Sequence, residues 1–458
     1  MPICAGSGIQ GEDSMADNYQ TQYRERVRPA HEAVALIPSG AKVAMPIAAG
    51  QPPAILAALA DRARAGAVED VRLYYLLCTG VAGSSVFEFE LRDRIIPMSY
   101  FHGGVDRALD KKRMAEMLPA GELVPCHFSQ VPRSLVEHVG VDTLVATVSP
   151  MDAEGNFSLG ASTDYALAVA RKPGARLILE VNPSMPYVRG NCMIPVSNVA
   201  ALVENDASLP ALPAAPRSEV DDTIGAIIAG LVDDGDCLQM GIGALPDAVC
   251  AGLSQHRHVG IHTEMMTSGL AALVRAGVVD NSRKQIHVGR TIFTFALGDK
   301  PLYDFLNNNP DVEAHPVDYV NNPFVIAQND RMVSVNATMQ IDLNGACNSE
   351  FVNGRQFSGS GGQVDFVRGA YASRGGRSII ACHATAAKGT LSRIVPTLTG
   401  PVTTSRNDIH IVVTEYGWAN LKGKSVAERA KALIGLAHPD FREELDRAAH
   451  QAGLYGRD

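Results

Sequence analysis

Two stretches of this chain open alike, and that likeness limits the possible fold more than any other feature. Ser39-Gly-Ala-Lys-Val-Ala-Met-Pro-Ile47 and Asp234-Gly-Asp-Cys-Leu-Gln-Met-Gly-Ile242 each follow a helix-like segment. Each leads into a proline and an apolar helical pattern, Pro53 to Ala63 in the first case and Pro246 to Leu253 in the second. A further strand-like run comes next in both, Val71 to Leu77 and Val259 to His262. Strand, helix and strand in that order make a βαβ unit. The repeat is far too long for a solenoid, so it predicts two related α/β domains. The chain has 458 residues, and single cores stop growing at roughly 250–300 residues, which also requires two.

The boundary is legible. Asp206-Ala-Ser-Leu-Pro-Ala-Leu-Pro-Ala-Ala-Pro-Arg-Ser218 carries three prolines at short spacing, which neither a helix nor a central strand tolerates. Residues 206–218 are therefore a linker between domains at 19–205 and 219–458. Residues 1–18 are an expected disordered or adventitious tail: Met1 to Ser14 lacks the charged and apolar regions of a signal peptide, and a second Met stands at 15. Buried parallel strands are expected at Thr143 to Val148, Arg176 to Val181, Met332 to Val335, Ser378 to Cys382 and Ile409 to Thr414. They alternate with helical patterns such as Val220 to Leu231 and Val426 to Ala437. The predicted class is α/β, with two similar open-sheet domains.

Composition removes several functions. A formal net charge of -9 argues against a nucleic-acid partner, although backbone amides and a few cations can still hold an anionic ligand. Apolar runs stay below the ~20 residues that span a bilayer, so a cytoplasmic protein with no membrane partner is expected. Cys4, Cys78, Cys126, Cys192, Cys237, Cys250, Cys347 and Cys382 are scattered singly and read as reduced, buried thiols. The histidines show no HExxH or comparable spacing, and no metal centre is expected. A GxSxG nucleophile elbow is absent.

Three stretches of the second half carry candidate chemistry. Leu238-Gln-Met-Gly-Ile-Gly-Ala-Leu-Pro-Asp-Ala-Val249 is a strand, a glycine turn and a helix, a place where amides can meet an anionic ligand. It lacks the third glycine of a dinucleotide fingerprint, and a tight turn alone would also explain it. In His258-Val-Gly-Ile-His-Thr-Glu-Met-Met-Thr-Ser-Gly269 a strand ends on the lone carboxylate of Glu264, and a helix capped by Ser268 should follow. A solvated charge is the plain reading of Glu264. Its flanks are apolar or small with no cation at helical spacing, and an unpartnered desolvated carboxylate is costly unless a site needs it. Phe357-Ser-Gly-Ser-Gly-Gly-Gln-Val-Asp-Phe-Val-Arg-Gly369 has three glycines in four residues, suited to an anion nest or oxyanion hole, or to a surface turn. Lys388, Arg393, Arg406, Lys422 and Lys424 could meet phosphates or form a solvated face.

Taken together, these stretches resemble the acetyl-CoA hydrolase/transferase family, and within it the 4-hydroxybutyrate CoA-transferase group. The resemblance runs through nearly the whole chain after Tyr19. It includes Pro125-Cys-His-Phe-Ser-Gln-Val-Pro132, Val148-Ser-Pro-Met-Asp-Ala-Glu-Gly-Asn-Phe-Ser-Leu-Gly160, Glu180-Val-Asn-Pro-Ser-Met-Pro186, the Gly241 turn, His262-Thr-Glu-Met265, Gly361-Gly-Gln-Val-Asp-Phe366, Ser392-Arg-Ile-Val-Pro396 and Val413-Thr-Glu-Tyr-Gly417. The resemblance implies two CoA-transferase-type domains and ping-pong transfer with Glu264 as nucleophile through a glutamyl-CoA thioester. It implies no tightly bound cofactor, coenzyme A and small carboxylates as substrates, and a homodimer or higher homo-oligomer. By the same resemblance Gly241, Ile242, Gly243, Ala244 and Leu245 cradle the pantetheine or carbonyl region, and Gly361, Gly362 and Gln363 contact the thioester or CoA arm. Gln239 orients Glu264, Met339 in Asn336-Ala-Thr-Met-Gln340 lines CoA, and Lys388 reaches a phosphate. The chain departs from the family pattern at Met266-Thr-Ser-Gly269 and at Tyr187-Val-Arg-Gly-Asn-Cys192. Thr267 and Arg189 therefore mark the acceptor question, with itaconate or succinate competing with 4-hydroxybutyrate if Arg189 meets a second carboxylate; a structural salt bridge is the equal alternative for Arg189. The rival readings are an acyl-CoA hydrolase using the same glutamate, a degenerate CoA-binding subunit and, more distantly, a dinucleotide oxidoreductase.

Overall fold

The computed structural model describes residues 9–456 apart from 214, with side chains from residue 17 onward. Residues 1–8 of the expected tail lie outside the described residues. From Ile9 the chain is helical to Arg26. Two contacts tie this helix to the first domain: the Tyr23 hydroxyl meets Glu204 at 2.8 Å, and Arg26 Nε donates to the Val199 carbonyl at 2.9 Å.

The first domain is a wholly parallel seven-stranded sheet of β1 (Lys42–Ala44), β2 (Val71–Leu76), β3 (Ile95–Phe101), β4 (Glu122–Leu123), β5 (Thr143–Val148), β6 (Arg176–Val181) and β7 (Ala201–Glu204). Its order is β7-β6-β5-β1-β2-β3-β4. All six residues of β5 are buried, which is why it reads as an unbroken run and not as an alternation. The second domain holds β8 (Cys237–Met240), β9 (Gly260–Ile261), β10 (Met332–Ala337), β11 (Arg377–Ala381), β12 (Ile411–Thr414) and β13 (Gly417–Asn420), in the order β9-β8-β10-β11-β12-β13. Only the β12–β13 pair is antiparallel.

The two strands singled out by the repeat, β1 and β8, occupy equivalent places. Each lies where successive connections leave in opposite directions, β1 between β2 and β5 and β8 between β9 and β10. Such a switch point opens a crevice outside the carboxyl ends of the strands, where open α/β sheets bind ligands. The helices that bear on the argument are α1 (Pro53–Arg64), α2 (Glu219–Ala229), α3 (Ala244–Gly252), α4 (Ser268–Arg275), α5 (Val317–Val320), α6 (Gln363–Ala372) and α7 (Val426–Leu436). Their starts follow local chemistry. Pro53 is the first residue of α1, where its missing N–H costs nothing, and Ser218 and Asp221 form a capping box on α2.

The Pro/Ala linker is laid down on the body. Leu209 packs against the main core, the Leu212 amide donates to the Gly298 carbonyl at 2.8 Å, and the Tyr303 hydroxyl donates to the Pro210 carbonyl at 2.7 Å. That core is shared: Phe128, Tyr165 and Leu179 of the first domain and Met265, Phe293 and Val413 of the second belong to one buried cluster. Six of the seven described cysteines are buried, Cys126 only partly, and all seven are free. Among the described residues no helix is long and apolar enough to cross a membrane.

Candidate active site

Glu264 stands where the chain leaves the second sheet. After β9 the His262 amide donates to the Leu238 carbonyl at 3.1 Å, and the His262 ring Nε2 meets the Val320 carbonyl at 2.8 Å. Burial pushes this imidazole down to about 3, so it is neutral and acts as a fixed donor to α5. The Glu264 carbonyl accepts from the Thr294 and Phe295 amides at 3.1 and 3.2 Å, and Met265–Met266 pairs in parallel with Phe295–Ala296. The main chain is thus held on both sides of the carboxylate. Helix α4 follows a short strand, and its cap is Thr267, one residue before the expected Ser268; Thr267 accepts from the Leu270 amide, and Ser268 Oγ donates to Asp299 instead.

The partly buried carboxylate has two donors. Asn321, which follows α5, gives Nδ2 to Oε2 at 2.7 Å, and the Gly362 amide at the start of α6 gives a second bond. A Cβ on Gly362 would lie 1.8 Å from Glu264 Oε2 and 2.2 Å from Asn321 Nδ2. Only glycine lets the backbone come this close. Loss of solvent pushes the Glu264 carboxyl up to about 7 despite these two bonds, and nearby Asp365 pushes it the same way. Asp365 is itself buried, and burial raises it too. The arrangement gives a fixed carboxylate that ionises near neutrality and is correspondingly basic, as a carboxylate nucleophile requires.

The first domain completes the loop. The Phe128 amide donates to the Gly361 carbonyl at 3.0 Å, Ser360 Oγ donates to the Cys126 carbonyl at 2.9 Å, and Ser129 binds Asp365 through its amide and hydroxyl at 3.0 and 2.8 Å. A Cβ on Gly359 would meet the Tyr100 carbonyl at 2.5 Å. Pro125–Pro132 therefore grips the glycine loop that holds Glu264, which puts the site at the domain interface. Two cavities lie beside chain neighbours of these residues, and Glu264 lines neither. One of about 350 Å³ is lined by Ile242, Gly243, Asp247, Thr267, Asp299 and linker residues, the other of about 400 Å³ by Tyr100, Cys126, His127, Glu350, Gly359, Ser360 and neighbours.

Residues 12–213 match the acetyl-CoA hydrolase/transferase N-terminal domain and residues 298–449 its C-terminal domain. The chain belongs to the acetyl-CoA hydrolase/transferase family. It is 42% identical over 436 residues to the succinyl-CoA:cyclohexane-1-carboxylate CoA transferase of Geobacter metallireducens, covering 95% of this chain and 97% of that one. It is 48% identical over 328 residues to the 4-hydroxybutyrate coenzyme A transferase of Clostridium kluyveri, covering 71% and 76%. The crystal structure of RipA from Yersinia pestis superposes with a TM-score of 0.92 at 49% identity, covering 96% of this chain and all of that one. The expected enzyme class, a CoA-transferase, is the class these two transferases carry in their names. Glu264 itself lies between the two matched domains of the family, in the stretch that the full-length relatives span.

Other predicted residues fall in several places. Gly241, Ile242 and Gly243 form the turn at the β8 switch point; Ile242 is exposed, Gly243 has φ of +121°, and a Cβ on Gly241 or Gly243 would meet nothing within 4 Å, so the turn faces open space. Ala244 opens α3, while Leu245 points into the core. Gln239 is a correction: it pairs with Asn336, 3.2 Å from Asn336 Nδ2 to Gln239 Oε1, and the amide that reaches Glu264 is Asn321's. Gln239 is buried on β8, with its side chain turned toward the neighbouring strand β10. Gln363 is also buried and donates to Thr404 at 2.8 Å, and the Gly362 amide is engaged by Glu264. Met339 is partly buried and Lys388 is exposed on a left-handed turn with φ of +58°. Arg189 lies on a short strand, paired in register with Glu313 and absent from the lining of both cavities. Sequence reasoning missed Asn321 and Asp365. The signal for Asn321 was the pair Asn321-Asn322 before Pro323: Asn322 caps the next helix, leaving the first asparagine without a local task.

Proposed function

We propose that this protein transfers CoA from an acyl-CoA to a short monocarboxylic acid through a covalent intermediate on Glu264. The observation that carries the reading is the Glu264 carboxylate, held by Asn321 and Gly362 and raised to about 7 by desolvation. Its oxygen attacks the thioester carbonyl, the C–S bond breaks, and a mixed anhydride and CoA thiolate result. The thiolate attacks the glutamyl carbonyl, releasing the first acid as carboxylate and leaving a glutamyl-CoA thioester. A second carboxylate attacks that thioester and expels the thiolate, which takes the new acyl group and restores Glu264. A carboxylate is a weak nucleophile, so rate comes from orientation, partial desolvation and donors at the developing oxyanions. The exposed amides of the Gly241 turn are suited to that last role. Lys388 and Met339 are assigned to the CoA arm, and the working form to a homodimer or higher homo-oligomer.

The acid is proposed to be 4-hydroxybutyrate or a similar monocarboxylate in preference to itaconate or succinate. Neither cavity has Lys or Arg among its lining residues; Asp247 and Asp299 line one, and Glu350 and His127 the other. A second carboxylate on the substrate would be desolvated beside like charge. Incubation with an acyl-CoA, quench and peptide mass spectrometry test the covalent step: a CoA adduct on the peptide bearing Glu264 is expected, removed by 4-hydroxybutyrate faster than by succinate. No adduct under fast quench would overturn the mechanism. A CoA-release rate independent of added acid would favour the hydrolase instead.

A further inference from the structure

We infer that His287, Glu313 and His315 form a binding site for one divalent transition-metal ion, away from the transferring carboxylate. The three belong to the irregular segment before the strand Thr291–Phe293, to the strand Val312–Ala314, and to the residue just beyond that strand. Their donor atoms all lie within 4.8 Å of one another. Glu313 Oε2 is 3.3 Å from His287 Nδ1 and 3.0 Å from His315 Nε2. Donors bonded to zinc at ~2.0–2.1 Å in a tetrahedron are about 3.3 Å apart, so the two separations from Glu313 already match a coordinated set.

Three further features fit an ion there. His287 Nε2, the nitrogen that faces away from Glu313, meets the Tyr319 hydroxyl at 2.7 Å, the outer hydrogen bond that fixes the ring of a metal-bound histidine. His287 also has φ of +51°, a backbone state that non-glycine residues adopt sparingly and that tends to persist where a side chain must be aimed. Arg290 binds Asp311 at 2.8 Å and pairs with the other oxygen of Glu313 at 3.8 Å, leaving Oε2 to the two imidazoles, while Lys284 gives its ammonium to the Ile261 and Arg290 carbonyls. Two imidazoles and one carboxylate select Zn²⁺ or Co²⁺ over Mg²⁺ or Ca²⁺, which prefer oxygen alone.

The position suggests a brace. Tyr319 lies in α5, whose next residue is Asn321's neighbour Val320, and the ring of His315 packs 5.3 Å from that of Tyr319. An ion at the cluster fastens the segment that presents Asn321 to Glu264. It takes no part in the transfer itself.

The test uses the full chain stripped of metal with a chelator and titrated with Co²⁺ alone, then with Zn²⁺ in competition. One Co²⁺ per chain is expected, with visible ligand-field bands of a nitrogen and oxygen site, displaced by Zn²⁺. Glu313→Gln and His315→Ala are expected to abolish the bands, and Tyr319→Phe to weaken binding about tenfold. Because a histidine variant can lose its fold, wild-type protein provides a second measurement: Zn²⁺ should protect His287 and His315 from carbethoxylation, read by peptide mass spectrometry. Absence of stoichiometric binding, bands unchanged in both ligand variants, a thiolate charge-transfer band pointing to Cys126, or no protection of the two histidines would each overturn the site.

Discussion

At the scale of single residues, Glu264 and Asn321 make opposed contributions that pH can separate. Burial raises the Glu264 carboxyl from 4.5 to about 7. The folded state therefore favours the protonated form, and the sign follows: relative to the unfolded chain this group costs nothing below pH 4.5, and its ionisation lowers stability progressively as pH rises through 7. Glu264→Gln removes that loss along with the proposed nucleophile. The variant should show no CoA adduct, yet its melting temperature should gain on wild type between pH 4.5 and 7 and hold that gain above. An equal difference at pH 4 and pH 8 would contradict the desolvated carboxylate. Asn321 acts the other way, because its hydrogen bond lowers the Glu264 pKa. Asn321→Ala should therefore move the acid limb of kcat/KM to higher pH and lower its plateau, whereas a residue of purely structural importance would lower the plateau alone. The sequence showed the carboxylate because a charge among apolar neighbours stands out. It hid the asparagine, whose role depends on a contact 57 residues away.

Elements carry the next level of precision, and helix α6 is the decisive one. The amide of its N-cap residue Gly362 bonds Glu264 at the positive end of a ten-residue helix, and that amide can reach the carboxylate only because Gly362 has no side chain. Gly362→Ala must displace either the helix start or the carboxylate. Misplacement by about 1 Å costs on the order of 10²-fold in rate. A drop of that size in kcat with nearly unchanged circular dichroism is the expected result; wild-type kcat would show that the loop yields freely. The capping box of α2 offers a contrasting case with no catalytic duty. Ser218→Ala should cost about 1 kcal/mol of stability and leave kcat alone, as denaturant titration and steady-state rates would show. At this scale the sequence was readable wherever periodicity and caps decide: β5, β6 and the first residue of α1 fall where the pattern puts them. It was less readable at the end of β9. The Met265–Met266 pairing with Phe295–Ala296 is set by tertiary contact and not by local preference, and the helix after it is capped by Thr267 and not by Ser268.

For the whole molecule, the repeat foretold two domains but not how tightly they join. Phe128 and Ser129 bond the glycine loop across the boundary, the linker lies on the second domain, and one buried cluster takes side chains from both sheets. Linker composition could not show this, because prolines report what the backbone cannot do and say nothing about what Leu209 packs against. A shared core makes the domains dependent on each other. Each half alone would expose apolar surface that the other now covers, at roughly 25 cal/mol per Å². Thermal unfolding should therefore be one transition, with calorimetric and van't Hoff enthalpies in agreement, and residues 219–458 expressed alone should bind a hydrophobic dye and fail to form the Glu264 adduct. Two resolved transitions, or an isolated second half that melts cooperatively and takes the adduct, would mean that the first domain only covers the site. A single transition that moves to lower temperature in Ser129→Ala, together with a slower adduct, would locate the coupling at the contact that holds Asp365 beside Glu264.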